Sequence, residues 1–297
     1  MTTAIGQTDQ PELARGEIVH LPGRGDLFVR DIPSTCPGAP TVVLLHGWSS
    51  SADLNWHPYL AGLARHFRVI AFDQRAHGRG IRHDDPFRLE DCADDAAALI
   101  QLLGIDQAIV VGYSMGGPVG KLLWRRHPHL VGGLVLSSTS ASFGCTTRLR
   151  VLFRAASAAS AMGVTGPASV VARRWLSTIA RINGVRGDAG WALDEFRRHD
   201  WGQLVEAGHQ IGRYDSRDWV GEIAVPTAVI ATMADEVVPT PYQLELARSI
   251  PGATLRRLSG GHHQCVTTPN RFEPVLVDAC REVAARSTVL DAMATVA

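Results

Sequence analysis

The chain has 297 residues, with 29 basic and 29 acidic side chains, so its formal charge near neutral pH is zero. This balance gives no basic excess of the kind that binds nucleic acid or anionic membranes. Hydrophobic residues make up 45% of the chain and charged residues 20%, which is typical of a soluble globular protein with one domain, or one domain and an insertion.

The N-terminal segment lacks the charged start and apolar stretch of a signal peptide, and no apolar run approaches the length of a transmembrane helix.

The five cysteines are widely spread with no metal-ligand spacing, which favours reduced thiols and a cytoplasmic location. No dinucleotide fingerprint or phosphate loop is visible, so no cofactor is expected. Residues 1–15 and 289–297 are expected to be terminal tails.

Eight short apolar segments predict strands, and helix-period segments separate most of the later ones. The first two strands, joined by a Pro-Gly-Arg-Gly turn, are expected to form an antiparallel hairpin. Continuous apolar runs are typical of strands buried on both faces, so the alternation predicts an α/β fold with a mostly parallel, doubly wound sheet. The predicted strands are 16–21, 25–32, 41–47, 68–73, 107–114, 133–138, 226–232 and 253–258, and the helices 53–67, 89–104, 117–127, 240–250 and 270–285.

One region, 140–219, interrupts this alternation and contains no clear strand. An insertion of about 80 residues is long for a simple connection. We therefore interpret 140–219 as a helical cap inserted into a core formed by 16–139 and 220–288. The alternative is that its helices complete the core. They are expected at 146–162, 167–182, 190–197 and 200–212.

The segment Gly-Tyr-Ser-Met-Gly, 112–116, stands between a buried strand and a helix. In this order a sharp turn holds Ser114 in a strained conformation, and the glycines on either side avoid clashes. The hydroxyl then projects from the carboxyl edge of the sheet, beside the positive N-terminus of the helix. The motif alone is weak, but with both flanking elements it indicates a nucleophile rather than a simple turn.

A serine hydroxyl is nearly unreactive near neutral pH, so it needs a base and an acid that orients the base. Asp235 follows the strand 226–232, where a loop carboxylate can reach the same sheet edge; an Asx turn or a helix N-cap is the alternative. His262 and His263 follow the last strand in a glycine-preceded loop. Either histidine could be the base, and two surface histidines are the alternative.

The reaction also needs backbone N–H groups that stabilise the developing oxyanion, each worth on the order of 3 kcal/mol. Met115, directly after Ser114, is expected to supply one of these donors. The loop after the strand 41–47 should supply the other, through the N–H of Trp48. His46 and Gly47, at the end of that strand, are expected to shape this loop, and we expect His46 to fix the loop rather than to act as a base.

These motifs resemble the α/β-hydrolase superfamily, in particular its capped serine-hydrolase and esterase members. Together with the spacing of strands and helices, the matching segments cover nearly the whole chain, except the first residues, about 15, and the cap. They are Leu-Leu-His-Gly-Trp at 44–48, the loop 72–80, Gly-Tyr-Ser-Met-Gly-Gly at 112–117, Asp-Glu-Val-Val-Pro at 235–239 and Gly-Gly-His-His at 260–263.

The resemblance implies Ser114 as nucleophile, Asp235 as acid and His262 as base. In relatives the active histidine follows small residues and precedes a proline by about seven positions, and Pro269 stands at that distance from His262. The chain departs from the family at 75–80, where Arg-Ala-His-Gly-Arg-Gly replaces the usual Arg-Gly-His-Gly-x-Ser. The cap shows no family motif, so the resemblance leaves the substrate open.

The nucleophile narrows the chemistry, because relatives that open epoxides or remove halides use an aspartate at position 114. Ser114 therefore predicts acyl transfer and hydrolysis, with a small, partly apolar carboxylic ester as the leading substrate. A thioester, a lactone or a lipid ester would use the same groups. The alternatives are a hydrolase of carbon–carbon bonds in ring-fission products, a haloperoxidase-like esterase, or a non-catalytic small-molecule receptor on the same fold.

Overall fold

A computed structural model describes residues 15–143 and 189–296 of the chain. The helices predicted at 146–162 and 167–182 lie outside these residues, as does nearly all of the N-terminal segment 1–15. Within the described parts of the chain, no helix is both long enough and apolar enough to cross a membrane.

The centre of the molecule is one sheet, whose eight described strands all lie where the sequence predicts them. They are β1 (Glu17–Leu21), β2 (Gly25–Ile32), β3 (Thr41–Leu45), β4 (Arg68–Phe72), β5 (Ala108–Tyr113), β6 (Val131–Ser137), β7 (Thr227–Thr232) and β8 (Thr254–Leu258). Their order in the sheet is β1-β2-β4-β3-β5-β6-β7-β8. β2 pairs antiparallel with β1 and β4, and the other neighbours are parallel, which confirms the predicted edge hairpin and doubly wound sheet.

Eight α-helices occur among the described residues. They are α1 (Ala52–Ala64), α2 (Leu89–Leu102), α3 (Gly116–Arg126), α4 (Ala189–Arg197), α5 (Trp201–Arg213), α6 (Thr240–Ser249), α7 (Gln264–Thr267) and α8 (Pro269–Val296). The last helix extends beyond the predicted segment 270–285 and includes most of 289–297, so the segment expected to be a C-terminal tail is helical. No glycine or proline follows residue 285, so nothing in the sequence ends the helix there.

Apolar side chains form one core on each face of the sheet. Side chains alternate between the faces of a strand, so Val43 and Leu45 of β3 pack with α2 and α3, whereas Val42 and Leu44 pack with α1 and α8. The inner strands β3 to β7 are buried on both sides, as their continuous apolar runs predict, whereas the edge strands β1 and β8 are largely exposed or half-buried.

The two described helices of the predicted insertion, α4 and α5, lie at the carboxyl edge of the sheet. The indole nitrogen Nε1 of Trp48 donates to the main-chain oxygen of Leu204, 2.8 Å away. The main-chain N–H of Gly78 donates to Nδ1 of His199, also at 2.8 Å. These contacts join α5 and the α4–α5 turn to the loops that follow β3 and β4.

A buried lysine joins the two ends of the segment 140–219 to the core. The ammonium nitrogen Nζ of Lys121, in α3, is 2.7 Å from the main-chain oxygen of Ser140 and 3.2 Å from Oγ of Ser216. Ser216 in turn donates from its main-chain N–H to the oxygen of Ala141 at 2.8 Å. Burial lowers the pKa of Lys121 to about 7.

Candidate active site

The turn that carries Ser114 requires the glycines around it. Ser114 has a φ of 53°, and its main-chain N–H donates to the oxygen of Ser137 at 2.9 Å. A Cβ atom on Gly112 would lie 2.3 Å from the main-chain oxygen of Gly116. A Cβ atom on Gly116 would lie 2.1 Å from the main-chain oxygen of Leu45. The chain therefore folds back between β5 and α3 as the motif predicts, with Ser114 at the turn.

The structure brings Ser114, His262 and Asp235 into one line of contacts. Nε2 of His262 lies 2.9 Å from Oγ of Ser114, and Nδ1 lies 2.8 Å from Oδ2 of Asp235. An ionised carboxylate only accepts hydrogen bonds, so the Nδ1 proton of the imidazole points to Asp235. The lone pair on Nε2 is then directed at the serine hydroxyl, which is the arrangement that proton abstraction from an alcohol requires.

The Asp235 carboxylate is fixed by several donors besides the imidazole. Its Oδ1 accepts from the main-chain N–H groups of Val237 and Val238 at 2.9 and 2.8 Å. Its Oδ2 accepts from Oγ1 of Thr232 at 2.7 Å and from Nε2 of Gln243 at 2.8 Å. The Asx turn considered as an alternative is thus present, and the same carboxylate also contacts the imidazole.

The electrostatics of this loop keep Asp235 ionised. Burial on its own would raise the pKa of Asp235, but the hydrogen bond and charge of His262, with the hydrogen bonds from Thr232 and Val238, lower it below the ordinary value. The negative charge is therefore present at neutral pH, where it can stabilise a protonated imidazole.

His263, the other candidate base, lies apart from this line of contacts. It precedes α7, and its main-chain oxygen accepts from the N–H groups of Val266 and Thr267 at 2.9 and 2.8 Å. Its ring stands edge-on to that of His262, with the centroids 5.4 Å apart. Burial, with a smaller effect from His262, lowers the pKa of His263 to about 4, so its ring is neutral near pH 7.

The loop predicted to help bind an oxyanion lies directly against the nucleophile. A Cβ atom on Gly47 would be 3.4 Å from Cβ of Ser114, so the main chain just before Trp48 borders the serine. The N–H of Gly47 donates to Oδ1 of Asn55 at 2.9 Å, which ties this loop to α1. Met115, the other predicted donor, adjoins Ser114 at the start of α3. That these two N–H groups bind an oxyanion stays a prediction.

His46 fixes the same loop through contacts of its two ring nitrogens, as the sequence predicts. Its Nδ1 lies 2.8 Å from the main-chain oxygen of Gly47, and its Nε2 accepts from the N–H of Gln74 at 3.0 Å. Burial lowers the pKa of His46 to about 3, so the ring is neutral. Nδ1 thus contacts the main chain of its own loop after β3, and Nε2 joins that loop to the loop after β4.

Sequence reasoning missed Thr232 and Gln243, the two side chains that fix Oδ2 of Asp235. Gln243 lies in α6, fully buried, and also donates to the main-chain oxygen of Val238 at 2.7 Å. Nothing in the sequence marks these residues, because the role of a buried polar side chain at a strand end or on a helix is recognisable only once its partner is known. Among the described residues, no group of three or more His, Cys, Asp or Glu side chains is arranged to hold a metal ion.

Residues 40–159 match the protein family described as alpha/beta hydrolase fold. A curated relative from Pantoea ananatis (strain LMG 20103), named "Putative carbamate hydrolase RutD", is 30% identical over 254 residues, which are 81% of this chain and 88% of the relative. The chain belongs to the α/β-hydrolase family.

Solved structures agree with this assignment. The enol-lactonase from Burkholderia xenovorans LB400 is similar to this hydrolase with a TM-score of 0.74 and 25% identity, over 88% of this chain and 98% of the other. The esterase EaEST from Exiguobacterium antarcticum is similar in fold, with a TM-score of 0.75 and 20% identity over 90% of this chain and 100% of the other. The family, the curated relative and the enol-lactonase support a hydrolase.

Proposed function

We propose that this α/β hydrolase cleaves a carboxylic ester through an acyl-enzyme formed on Ser114. The observation that best supports the proposal is the line of contacts from the Ser114 hydroxyl through His262 to Asp235. Groups that already lie within hydrogen-bond distance need little rearrangement to react. The resemblance to an enol-lactonase also supports an ester substrate, because a lactone is a cyclic ester.

In the first half of the reaction, Oγ of Ser114 attacks the ester carbonyl while Nε2 of His262 takes the hydroxyl proton. The carbonyl oxygen becomes negatively charged and accepts hydrogen bonds from the N–H groups of Trp48 and Met115. The protonated imidazole then donates its proton to the leaving alcohol as the C–O bond breaks. Asp235 stabilises the imidazolium throughout.

In the second half, a water molecule attacks the acyl-enzyme carbonyl, and His262 accepts a proton from that water. The tetrahedral intermediate collapses, Oγ of Ser114 leaves and recovers its proton, and the carboxylic acid is released. An apolar acyl or alcohol part would lie beneath α4 and α5, the described helices of the predicted cap, which contact the loops at this edge.

Carbamate hydrolysis is a second candidate, favoured by the name of the Pantoea relative. A carbamate carbonyl would accept the same attack by Ser114 and give a carbamoyl-enzyme, which water would release in the second step. Nitrogen donates electrons into a carbamate carbonyl, so attack on it is harder than on an ester carbonyl. Esters should therefore be cleaved faster unless the site is adapted to the carbamate.

A substrate panel tests the proposal: p-nitrophenyl esters of increasing acyl length, p-nitrophenyl carbamate and a ring-fission dienone, with wild type and Ser114→Ala. We expect wild type to prefer an ester and Ser114→Ala to show only background hydrolysis while remaining folded. If the carbamate or the dienone is cleaved faster than every ester, that compound class, and not a carboxylic ester, is the preferred substrate. Full activity in Ser114→Ala would overturn the mechanism, and tight ligand binding without turnover would favour a receptor.

A further inference from the structure

Tyr113, immediately before the serine, reaches the loop that carries the histidine. Its hydroxyl donates to the main-chain oxygen of His262, with a distance of 2.5 Å between the two oxygens. Its ring also packs against the imidazole, with the centroids 5.4 Å apart and the planes inclined by 37°. The side chain is buried, with 5% of its surface exposed. One aromatic ring therefore contacts both the backbone and the side chain of His262.

The segment that carries His262 is short and is held at few points. Five residues, 259–263, connect β8 to α7. Gly260 has a φ of +124°, and its main-chain oxygen accepts from the N–H of Ala234 at 2.9 Å. The hydroxyl of Tyr59 donates to the main-chain oxygen of Cys265, at the far end of the segment. Between these anchors, the Tyr113 hydroxyl holds the carbonyl of the histidine residue itself.

The same ring also borders the loop that approaches the nucleophile from β3. A Cβ atom on Gly47 would lie 3.0 Å from Cδ1 of Tyr113, so the ring packs directly against that loop. Tyr113 thus directly precedes Ser114 in the chain, donates a hydrogen bond to the backbone of His262, and packs against Gly47. A side chain in this position can set the relative placement of all three parts of the site.

We propose that Tyr113 is a positioning residue, whose hydroxyl fixes the backbone of His262 so that Nε2 stays within hydrogen-bond distance of Ser114. The inference rests on the proposed function of Ser114 and His262. Tyr113 acts through His262 and exchanges no proton in the reaction. Without its hydroxyl, the loop 259–263 keeps its outer anchors, but the imidazole occupies the reactive position for a smaller fraction of the time.

The test is Tyr113→Phe, which keeps the ring and its packing and removes only the hydroxyl. We expect kcat for a p-nitrophenyl ester to fall about tenfold, the factor that corresponds to one lost hydrogen bond, with KM unchanged. We also expect the downfield proton NMR signal of the Nδ1–H between His262 and Asp235 to broaden or disappear. The signal is assigned by its loss in His262→Ala.

Thr227→Val is the control, because it removes a buried hydroxyl from a main-chain oxygen, that of Val225 at 3.0 Å, at the end of β7 opposite the loop of Asp235. Thermal unfolding of both variants measures any general loss of stability. We expect the two variants to lose similar stability, while only Tyr113→Phe changes kcat and the Nδ1–H signal. Equal effects of both variants on kcat and on the signal would show a merely structural role and overturn the proposal.

The two readouts separate failure of this inference from failure of the proposed function. The NMR signal reports the imidazole position whether or not an ester is cleaved. A wild-type protein that shows the signal but cleaves no ester would contradict the proposed function alone. A signal and a kcat that are both unchanged in Tyr113→Phe would overturn the positioning role, whatever the substrate.

Discussion

At the residue scale, backbone strain is concentrated where the parallel strands end. Positive φ values cost non-glycine residues about 1 to 3 kcal/mol each and persist only where the surrounding structure enforces them. Four such residues occur in the described chain, one after each of β3, β4, β5 and β6, at the edge where Ser114 meets His262. They are Ser49, Ala76, Ser114 and Ser138, with φ values of 54°, 66°, 53° and 49°.

The turn at Ser114 predicts that Gly116→Ala destabilises the protein. The added Cβ would meet the main-chain oxygen of Leu45 at 2.1 Å, and a main-chain atom in the central strand β3 cannot move aside. We expect the free energy of unfolding, measured by denaturant titration, to fall by about 3 kcal/mol. Gly202→Ala is the control, because its Cβ would be 3.5 Å from the nearest atom, and it should be neutral or slightly stabilising. Equal effects would contradict the argument.

The role of Asp235 predicts that Asp235→Asn lowers kcat by about four orders of magnitude, because an amide no longer holds the imidazole in the required tautomer. Glu236→Gln is the control, since the adjacent carboxylate is exposed and should not affect turnover. Steady-state hydrolysis of a p-nitrophenyl ester measures both. A loss of less than tenfold in Asp235→Asn would point to a different acid.

At the scale of elements, the sequence predicts the strands and the turn that carry the site, because each of them is marked by residues within the element itself. Apolar runs mark strands such as β5, and the glycines at 112 and 116 mark the turn after it. The partners that orient Asp235 come instead from β7 and α6, through Thr232 and Gln243, and have no local signature. The alanine itself gives no signal of the positive φ at position 76, where the pattern of the similar family has the glycine that such a φ favours.

The attachment of α4 to the core depends on a buried carboxylate. Oε2 of Glu195 lies 3.2 Å from Oγ of Ser51 and 3.4 Å from Nη2 of Arg79. Both partners belong to the loops after β3 and β4, close to the proposed site. Breaking a buried pair leaves the other charge uncompensated, so this contact should matter more to stability than an exposed one.

We therefore expect Glu195→Ala to lower the free energy of unfolding by about 3 kcal/mol and to raise amide hydrogen exchange in α4. Asp194→Ala is the control, because Asp194 is exposed and pairs only at the surface with Arg197, 3.3 Å away. That variant should change stability by less than about 0.5 kcal/mol. Unchanged exchange in Glu195→Ala would show that other contacts suffice to hold α4.

At the scale of the whole molecule, the fold joins a rigid sheet to a segment whose two ends meet on α3. Lys121 lies at that junction, and its Nζ is 4.9 Å from the centre of the Tyr214 ring. The assignment of 140–219 as a cap stays a prediction, as do the cytoplasmic location and the absence of a nucleic-acid partner. The burial of Lys121 at this junction predicts that the stability of the protein depends on pH.

Burial lowers the pKa of Lys121 from 10.5 to about 7, so between these values the unfolded chain binds a proton that the folded protein lacks. The free energy of unfolding contributed by this group therefore rises with pH across that window. We expect denaturant midpoints to rise from about pH 7 to about pH 8.5 more in wild type than in Lys121→Met. Parallel pH dependences in the two proteins would contradict the shift.

The most direct test of the whole account is to find where a fluorophosphonate binds covalently, by mass spectrometry of the peptides from treated protein. The reagent needs a serine oxygen activated by a neighbouring base, so the measurement depends on no choice of substrate. We expect a single phosphonyl group on Ser114, absent in Ser114→Ala and formed far more slowly in His262→Ala. A wild-type protein that stays unmodified, or that carries the group on another residue, would contradict the account.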